Sequence, residues 1–265
     1  MLGRPRRRAL LSGALAFSLA SLGGCSKPPP AAEEPLKVAA ASDLSVAFEE
    51  VGAAFEKKTG KKVTFSFGAS GLLTKQIKEG APFDVFAAGN VSFVDQLVEA
   101  KAAVADSKVL YARGHIVILT PPGSEPVAKI EDLADPRFKK IAIANPETAP
   151  YGKAAKQALT KASVFPAVEP RLVFGENVLQ TMQFAESGNA DAAIVALSLA
   201  MTAKGKYTNI DEGMHDPIDQ AMAIVEGSKQ KGVAADFIAF VGSDEGHAIM
   251  KKSGFLLPGE AITAK

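Results

Sequence analysis

Four loops carry the residue types best suited to chemistry: Ala40-Ala41-Ser42-Asp43, Gly68-Ala69-Ser70-Gly71, Asn145-Pro146-Glu147-Thr148-Ala149-Pro150-Tyr151-Gly152 and Gly175-Glu176-Asn177-Val178. Each follows a short apolar run and opens a helical pattern, so each ends where a helix begins. A helix N-terminus exposes backbone N–H groups without partners and carries roughly half a positive charge, which attracts anions. Several such termini facing one cleft make a cage of hydrogen-bond donors with no net charge of its own. The chemistry implied is capture of a small inorganic oxyanion by a receptor.

Taken singly, each residue also has an ordinary structural reading. Ser42 ends the first strand, where serine is a preferred N-cap. Ser70 sits between residues that permit either close backbone approach or a flexible turn. Pro146 and Pro150 stiffen a loop longer than a helix start requires, lowering the entropy lost when a ligand orders it. Tyr151 can offer a backbone N–H at the start of the next helix, or its ring can cover the cleft. Val178 can aim its N–H at the same point or pack in a core. The combination of loops says more than any one of them.

These loops need a frame, and the hydropathy pattern supplies it. Leu36 to Ala41 reads as a buried strand, Leu44 to Lys58 as a helix with Leu44, Phe48, Val51 and Phe55 near a 3.6 spacing, and Val63 to Phe67 as a second strand. A short helix over 72–78, a strand over 83–88 and a helix over 92–99 follow. The pattern resumes with strands over 115–119, 141–144, 171–174, 192–196 and 220–225. Between and after them come a helical turn at 130–133 and helices over 153–161, 178–187, 199–204, 233–241 and 245–252. Repeated βα units with continuous apolar strands indicate parallel sheets covered by helices on both faces. Two α/β lobes fit this length, with a first crossing near Arg113 and a return near Glu226. The expected layout is a first lobe of residues 36–113 and 227–265, a second lobe of 114–226, and a ligand cleft between them.

Ahead of the lobes, Arg4, Arg6, Arg7 and Arg8 precede an apolar stretch from Ala9 to Leu22 that is too short for a membrane span and has signal-peptide flanks. Arg7-Arg8 fits either general secretory or twin-arginine export. Leu22-Gly23-Gly24-Cys25 resembles the lipobox of bacterial lipoproteins, which makes residues 1–25 a signal segment and Cys25 a lipidated N-terminus. Cys25 is the only cysteine, so no disulfide forms within one chain. Residues 26–35, reading SKPPPAAEEP, fit a semi-extended tether or a disordered terminus. The formal charge of +1 offers no basic field for nucleic acid.

With these residues in order, the chain resembles the periplasmic molybdate-binding proteins of ABC importers. The resemblance lies in Ala39-Ala40-Ala41-Ser42, Ser66-Phe67-Gly68-Ala69-Ser70, Gly80-Ala81-Pro82-Phe83-Asp84-Val85-Phe86, Ala144-Asn145-Pro146-Glu147, Ala149-Pro150-Tyr151-Gly152 and Gly175-Glu176-Asn177-Val178, and it spans nearly everything from Lys37 to Pro258. It implies a two-lobed type II periplasmic-binding-protein fold with a mixed, mostly parallel sheet in each lobe. It also implies that Ser42 and Ser70 donate hydroxyl and backbone hydrogens to a tetrahedral dianion, molybdate or tungstate, and that Tyr151 and Val178 donate backbone N–H. Asp43, Ala69, Pro150 and Asn177 are further cleft residues on this basis. Where some family members place a tyrosine hydroxyl, this chain has Ala196, so that contact is absent or replaced. Asp43 departs from the leucine or asparagine often found there, and its carboxylate is expected to point away from the anion. The resemblance further implies a non-enzymatic monomer without cofactor, delivering its ligand to a membrane permease driven by a cytoplasmic ATPase. It would touch the membrane only through the lipid anchor, in the periplasm or at the cell surface.

A site built only of donors suits a dianion with four acceptor oxygens and no proton. Hydrogen phosphate brings its own donor and requires an acceptor, and a buried donor facing a donor costs about 1–3 kcal/mol or more. Sulfate shares the proton-free state and must be excluded by size. The rival readings are a sulfate or phosphate receptor using Asp43 or Glu176 as acceptor, a serine hydrolase using Ser70, a metal receptor using Asp84, Glu176 and histidines, and a signalling module on the same fold. Ser70 lies outside a G-x-S-x-G elbow, and His115, His215 and His247 are scattered. Lys57-Lys58, Lys61-Lys62 and Lys139-Lys140 are either solvated faces or surfaces for a permease.

Overall fold

Continuous apolar runs build two five-stranded sheets in a computed structural model that describes residues 34–260. The expected signal segment, Cys25, the tether as far as Glu33 and residues 261–265 lie outside the described residues. The strands are β1 (Leu36–Ala41), β2 (Val63–Gly68), β3 (Val85–Ala88), β4 (Val109–Gly114), β5 (Ile116–Thr120), β6 (Ile141–Ala144), β7 (Leu172–Gly175), β8 (Ala192–Ala196), β9 (Lys206–Asn209) and β10 (Ile218–Ile224). The helices are α1 (Ser45–Thr59), α2 (Ser70–Lys78), α3 (Val91–Glu99), α4 (Pro150–Lys161), α5 (Phe165–Val168), α6 (Val178–Glu186), α7 (Leu197–Ala200), α8 (Lys231–Val241) and α9 (Asp244–Lys252).

The sheets have orders β2-β1-β3-β10-β4 and β7-β6-β8-β5-β9. In the first, β1 runs parallel to β2 and β3, while β10 is antiparallel to β3 and β4, so one strand of the sheet is reversed. In the second, β6 runs parallel to β7 and β8, and β5 is the reversed strand between β8 and β9. Each lobe therefore repeats the same pattern, with its reversed strand fourth in order. This is the mixed, mostly parallel α/β architecture that the family resemblance implies, with one reversed strand per sheet where the hydropathy pattern alone indicates parallel sheets.

The return crossing differs from expectation. β10 pairs with β3 and β4 in the first sheet, so residues 218–226 belong to the first lobe and the chain recrosses between Asn209 and Ile218. A short strand such as Ala221-Met222-Ala223-Ile224 is apolar on both faces, and nothing local in it states which sheet it joins. The outward crossing is abrupt, with His115 alone separating β4 from β5. Two further strands, β4 and β9, were not expected; their exposed Val109, Leu110 and Tyr207 and their polar neighbours obscure the strand pattern.

Side chains alternate across the first sheet. Val38, Ala40, Val85 and Ala87 enter one core, with α1, α8 and α9, while Ala39, Phe86 and Ala88 enter another, with α2 and α3. The C-terminal helices close the first core through aromatic edges: the Phe237 ring lies 6.0 Å from Phe48 and 5.4 Å from Phe55, both near perpendicular. Replacing Phe237 with alanine should lower unfolding stability by about 3–5 kcal/mol in urea titration. A loss below about 1 kcal/mol would mean that α8 does not complete the core of the first lobe.

Candidate functional site

Strand register brings the loops together in pairs. Ala41 lies beside Gly68 in the parallel ladder of β1 and β2, so Ser42 and the Ala69-Ser70 step leave the same edge of the first sheet. Ala144 lies beside Gly175 in the ladder of β6 and β7, so the loops at Asn145 and Glu176 leave one edge of the second sheet. The two edges face one another, and Gly71 N–H of the first lobe donates to Thr148 O of the second across 2.9 Å.

Between them is a small cavity of about 10 Å³, lined by Ala41, Ser42, Asp43, Gly68, Ala69, Ser70, Gly89, Ala149, Pro150, Tyr151 and Val178. Ser42, Ser70, Tyr151 and Val178 thus meet around one space, joined by Asp43, Ala69 and Pro150. Asn177 and Ala196 are not among its lining residues. Asn177 instead caps α6, its Oδ1 accepting Gln180 N–H at 3.0 Å. Ala196 is buried at the end of β8, opposite Ile116.

Three of the four elements that start at this cavity do so without a side-chain cap; the fourth, α6, is capped by Asn177. The short 3₁₀ turn Ser42–Leu44 starts after Ala41, α2 after Ala69 and α4 after Ala149, and none of these N-cap residues makes a side-chain cap. Pro150 stands at the first position of α4, where its missing N–H is no loss. First-turn N–H groups have no partner within a helix, so an uncapped start leaves donors for whatever occupies the cavity. Ser70 is fixed in the same wall. Its Oγ accepts Gly89 N–H at 3.0 Å, which leaves its own hydroxyl hydrogen to donate. Ser42 and Ser70 are both buried residues.

Asp43 is fully buried, and its Oδ2 accepts from Tyr151 Oη–H at 2.9 Å and from Gln220 Nε2–H at 2.6 Å. Burial raises its pKa from the ordinary 3.8 to about 6, against the opposing effect of the Gln220, Tyr151 and backbone hydrogen bonds. Tyr111 Oη–H bonds Gln220 Oε1 at 2.8 Å, and Ser198 Oγ–H bonds Asp43 O at 2.9 Å. Gln220, Tyr111, Ser198 and Gly89 carry no motif, and the sequence did not mark them as part of the site.

Of the residues of the rival readings, Asp43 and Ser70 line this same cavity, whereas Asp84 and Glu176 lie apart from it. Asp84 Oδ2 accepts Lys37 N–H at 2.9 Å and its Oδ1 accepts Ser228 Oγ–H at 2.7 Å, at the opposite end of β3. Glu176 is exposed, and its N–H donates to Gln180 Oε1. Among the described residues, no group of three or more His, Cys, Asp or Glu side chains is placed to hold a metal ion. No helix among them is long and apolar enough to cross a membrane.

Residues 36–256 match the family model for bacterial extracellular solute-binding proteins. The chain belongs to that family. This solute-binding protein is 32% identical to the molybdate-binding protein ModA of Rhodobacter capsulatus over 86% of its own length and 90% of that protein. It is also 32% identical to the putative ABC transporter substrate-binding lipoprotein YvgL of Bacillus subtilis, over 83% of this chain and 85% of that one. Its structure is similar to the periplasmic molybdate-binding protein of Azotobacter vinelandii, with a TM-score of 0.80 and 31% identity, covering 84% of this chain and 99% of the other.

The close approach of α4 to β6 fixes where the solute-binding protein aims the start of that helix. A Cβ on Gly152 would sit 2.1 Å from the Ala144 carbonyl oxygen. Gly152→Ala should therefore push α4 off the sheet and lower stability by about 1–3 kcal/mol in denaturant unfolding. An unchanged midpoint would show that the helix start is free to move.

Proposed function

We propose that this chain is an extracytoplasmic receptor that binds molybdate, and tungstate in the same way, and hands it to an ABC importer after the lobes close. The observation that carries this reading is the composition of the cavity: its walls come from both lobes, offer hydroxyl and backbone hydrogens, and contain no lysine or arginine. Ser42 and Ser70 are the hydroxyl donors in this reading, and the first-turn N–H groups of Tyr151 and Val178 complete the cage. The ion is held by hydrogen bonds to its oxygens, with no protein ligand on the metal atom and no cofactor. The likeness to molybdate-binding proteins over most of the chain supports the choice of ion.

Capture and closure follow from the same geometry. Donors divided between two lobes act together only when the cleft is shut, so the ion shifts the open–closed equilibrium by its preference for the closed form. The closed form is then what a membrane permease with its cytoplasmic ATPase recognises. Such a receptor binds and releases without bond chemistry: Ser70 Oγ is engaged by Gly89 N–H, not by a histidine. Export by the N-terminal signal, lipidation of Cys25 and monomeric action on the outer side of the plasma membrane complete the reading, with no nucleic-acid partner.

Thermal unfolding against molybdate, tungstate, sulfate and phosphate tests the choice of ion. At a thousand times its dissociation constant a ligand adds about 4 kcal/mol of stability, and molybdate and tungstate should do so. Phosphate or sulfate raising the midpoint while molybdate and tungstate leave it unmoved would refute the assignment. Ser42→Ala and Ser70→Ala should each weaken molybdate binding by about 1–3 kcal/mol in calorimetry. Unchanged affinity in both variants would remove these hydroxyls from the site.

A further inference from the structure

The cavity has a feature that a cage of donors does not require: an aspartate among its lining residues, with its carboxyl fully buried. Asp43 belongs to the first lobe, yet Oδ2 takes a hydrogen bond from the Tyr151 hydroxyl at 2.9 Å, and Tyr151 stands on α4 of the second lobe. Gln220 braces both, its Nε2 lying 2.6 Å from Asp43 Oδ2 and 3.1 Å from Tyr151 Oη. Tyr111 orients Gln220 through Oε1 at 2.8 Å and also donates toward Ala88 O at 3.2 Å. Ser198, again from the second lobe, bonds the Asp43 carbonyl oxygen. The Tyr151 hydroxyl occupies a socket made by Gly114, where a Cβ would lie 1.9 Å from it. With Oδ2 doubly engaged, Asp43 Oδ1 is buried and has no hydrogen-bond partner.

We propose that Asp43 is a proton-taking latch: closure around a dianion carries one proton from solvent onto Asp43 Oδ1, and the neutral acid, gripped by Tyr151 and Gln220, holds the lobes together. This rests on the oxyanion reading of the cavity. The proton goes to Oδ1 because Oδ2 already accepts two hydrogen bonds and Oδ1 accepts none. A buried carboxylate beside a buried dianion would instead be strongly repulsive.

Among the described residues, none that acts on Asp43 is a cation that could hold the charge. Tyr151 faces Asp43 from α4 and Tyr111 from β4, and both phenols are kept neutral, raised well above 10 by burial and by Asp43 itself. Gln220 on β10 and Ser198 on α7 are uncharged. His115, one residue past Gly114, is held down at about 4 by burial and by His215, with Asp211 opposing. With the interlobe hydrogen bond to Tyr151 made and no anion present, the Asp43 pKa of about 6 leaves the group largely ionised at neutral pH and easily protonated when a dianion is enclosed. Because the filled form binds more protons than the empty one, affinity is greatest at low pH and falls as pH rises through about 6 toward the higher pKa of the complex.

Isothermal titration of the purified protein with sodium molybdate, in pairs of buffers with different protonation enthalpies, counts the proton directly. Uptake of most of one proton per molybdate at pH 7 is expected, with Kd rising close to tenfold per pH unit between 6.5 and 7.5. Asp43→Asn keeps an acceptor for Tyr151 and Gln220 without the charge. It should bind molybdate without proton uptake, show a flat pH profile, and bind more tightly than the natural protein at pH 8. Tyr151→Phe retains the backbone N–H but loses the grip, and should release molybdate faster at every pH. Molybdate binding to the natural protein with no proton uptake and a pH-independent Kd would overturn the latch while leaving the oxyanion reading intact. Failure of the natural protein to bind molybdate or tungstate at any pH would remove both. The natural protein's proton count decides the matter even where a variant fails to fold.

Discussion

Backbone N–H groups in the first turn of a helix have no partner inside that helix, and buried donors without partners are costly. In this protein the 3₁₀ turn at Ser42, helix α2 and helix α4 all start on alanine N-caps that supply no side-chain oxygen. The same chain caps α3 with Asn90 and α6 with Asn177, so side-chain capping is within its repertoire. Of the four starts that meet in the cleft, the three on alanine are uncapped, and only α6 carries a side-chain cap. In the proposed reading, an anion with several acceptor oxygens would supply what the alanines withhold, for both lobes at once.

Parallel pairing turns this local property into a site. Strands that run side by side in the same direction deliver their following loops to one edge of the sheet. Ala41 beside Gly68 and Ala144 beside Gly175 are the register points that fix the two halves of the cavity. Each sheet also contains one reversed strand, and these, β5 and β10, are the strands by which the chain enters and leaves the second lobe. With only His115 between β4 and β5, the crossing sits directly beside the Gly114 socket that receives Tyr151. The connection between lobes and the contact that spans them are thus neighbours in space.

The loops are legible in the sequence because a helix start has a local signature: small residues, serine, proline at the first position and glycine where backbones approach. Ser42, Ser70, Tyr151 and Val178 follow from that signature together with the family resemblance, and the structure gathers all four around one cavity. The partners of Asp43 are another matter. Tyr151 is 108 residues away, Ser198 is 155 and Gln220 is 177, and none of the three sits in a pattern that announces a buried hydrogen bond. The membership of β10 in the first sheet was hidden for a related reason, since apolar alternation says that a strand is buried and not which neighbours bury it.

A carboxyl in the wall of an anion cavity would be self-defeating if it stayed charged. Its burial without a cationic partner is what makes it useful, because the same desolvation that disfavours the carboxylate favours the acid. An ionised Asp43 with a free Oδ1 is an acceptor, suited to an anion that carries a hydrogen; a protonated one is a donor, suited to an anion that carries none. Which anion the cavity prefers is therefore tied to where the Asp43 proton resides. Asparagine at this position would fix the donor form permanently. Aspartate keeps the choice open and makes it depend on pH, with Gln220 and Tyr151 holding the side chain in place in either state.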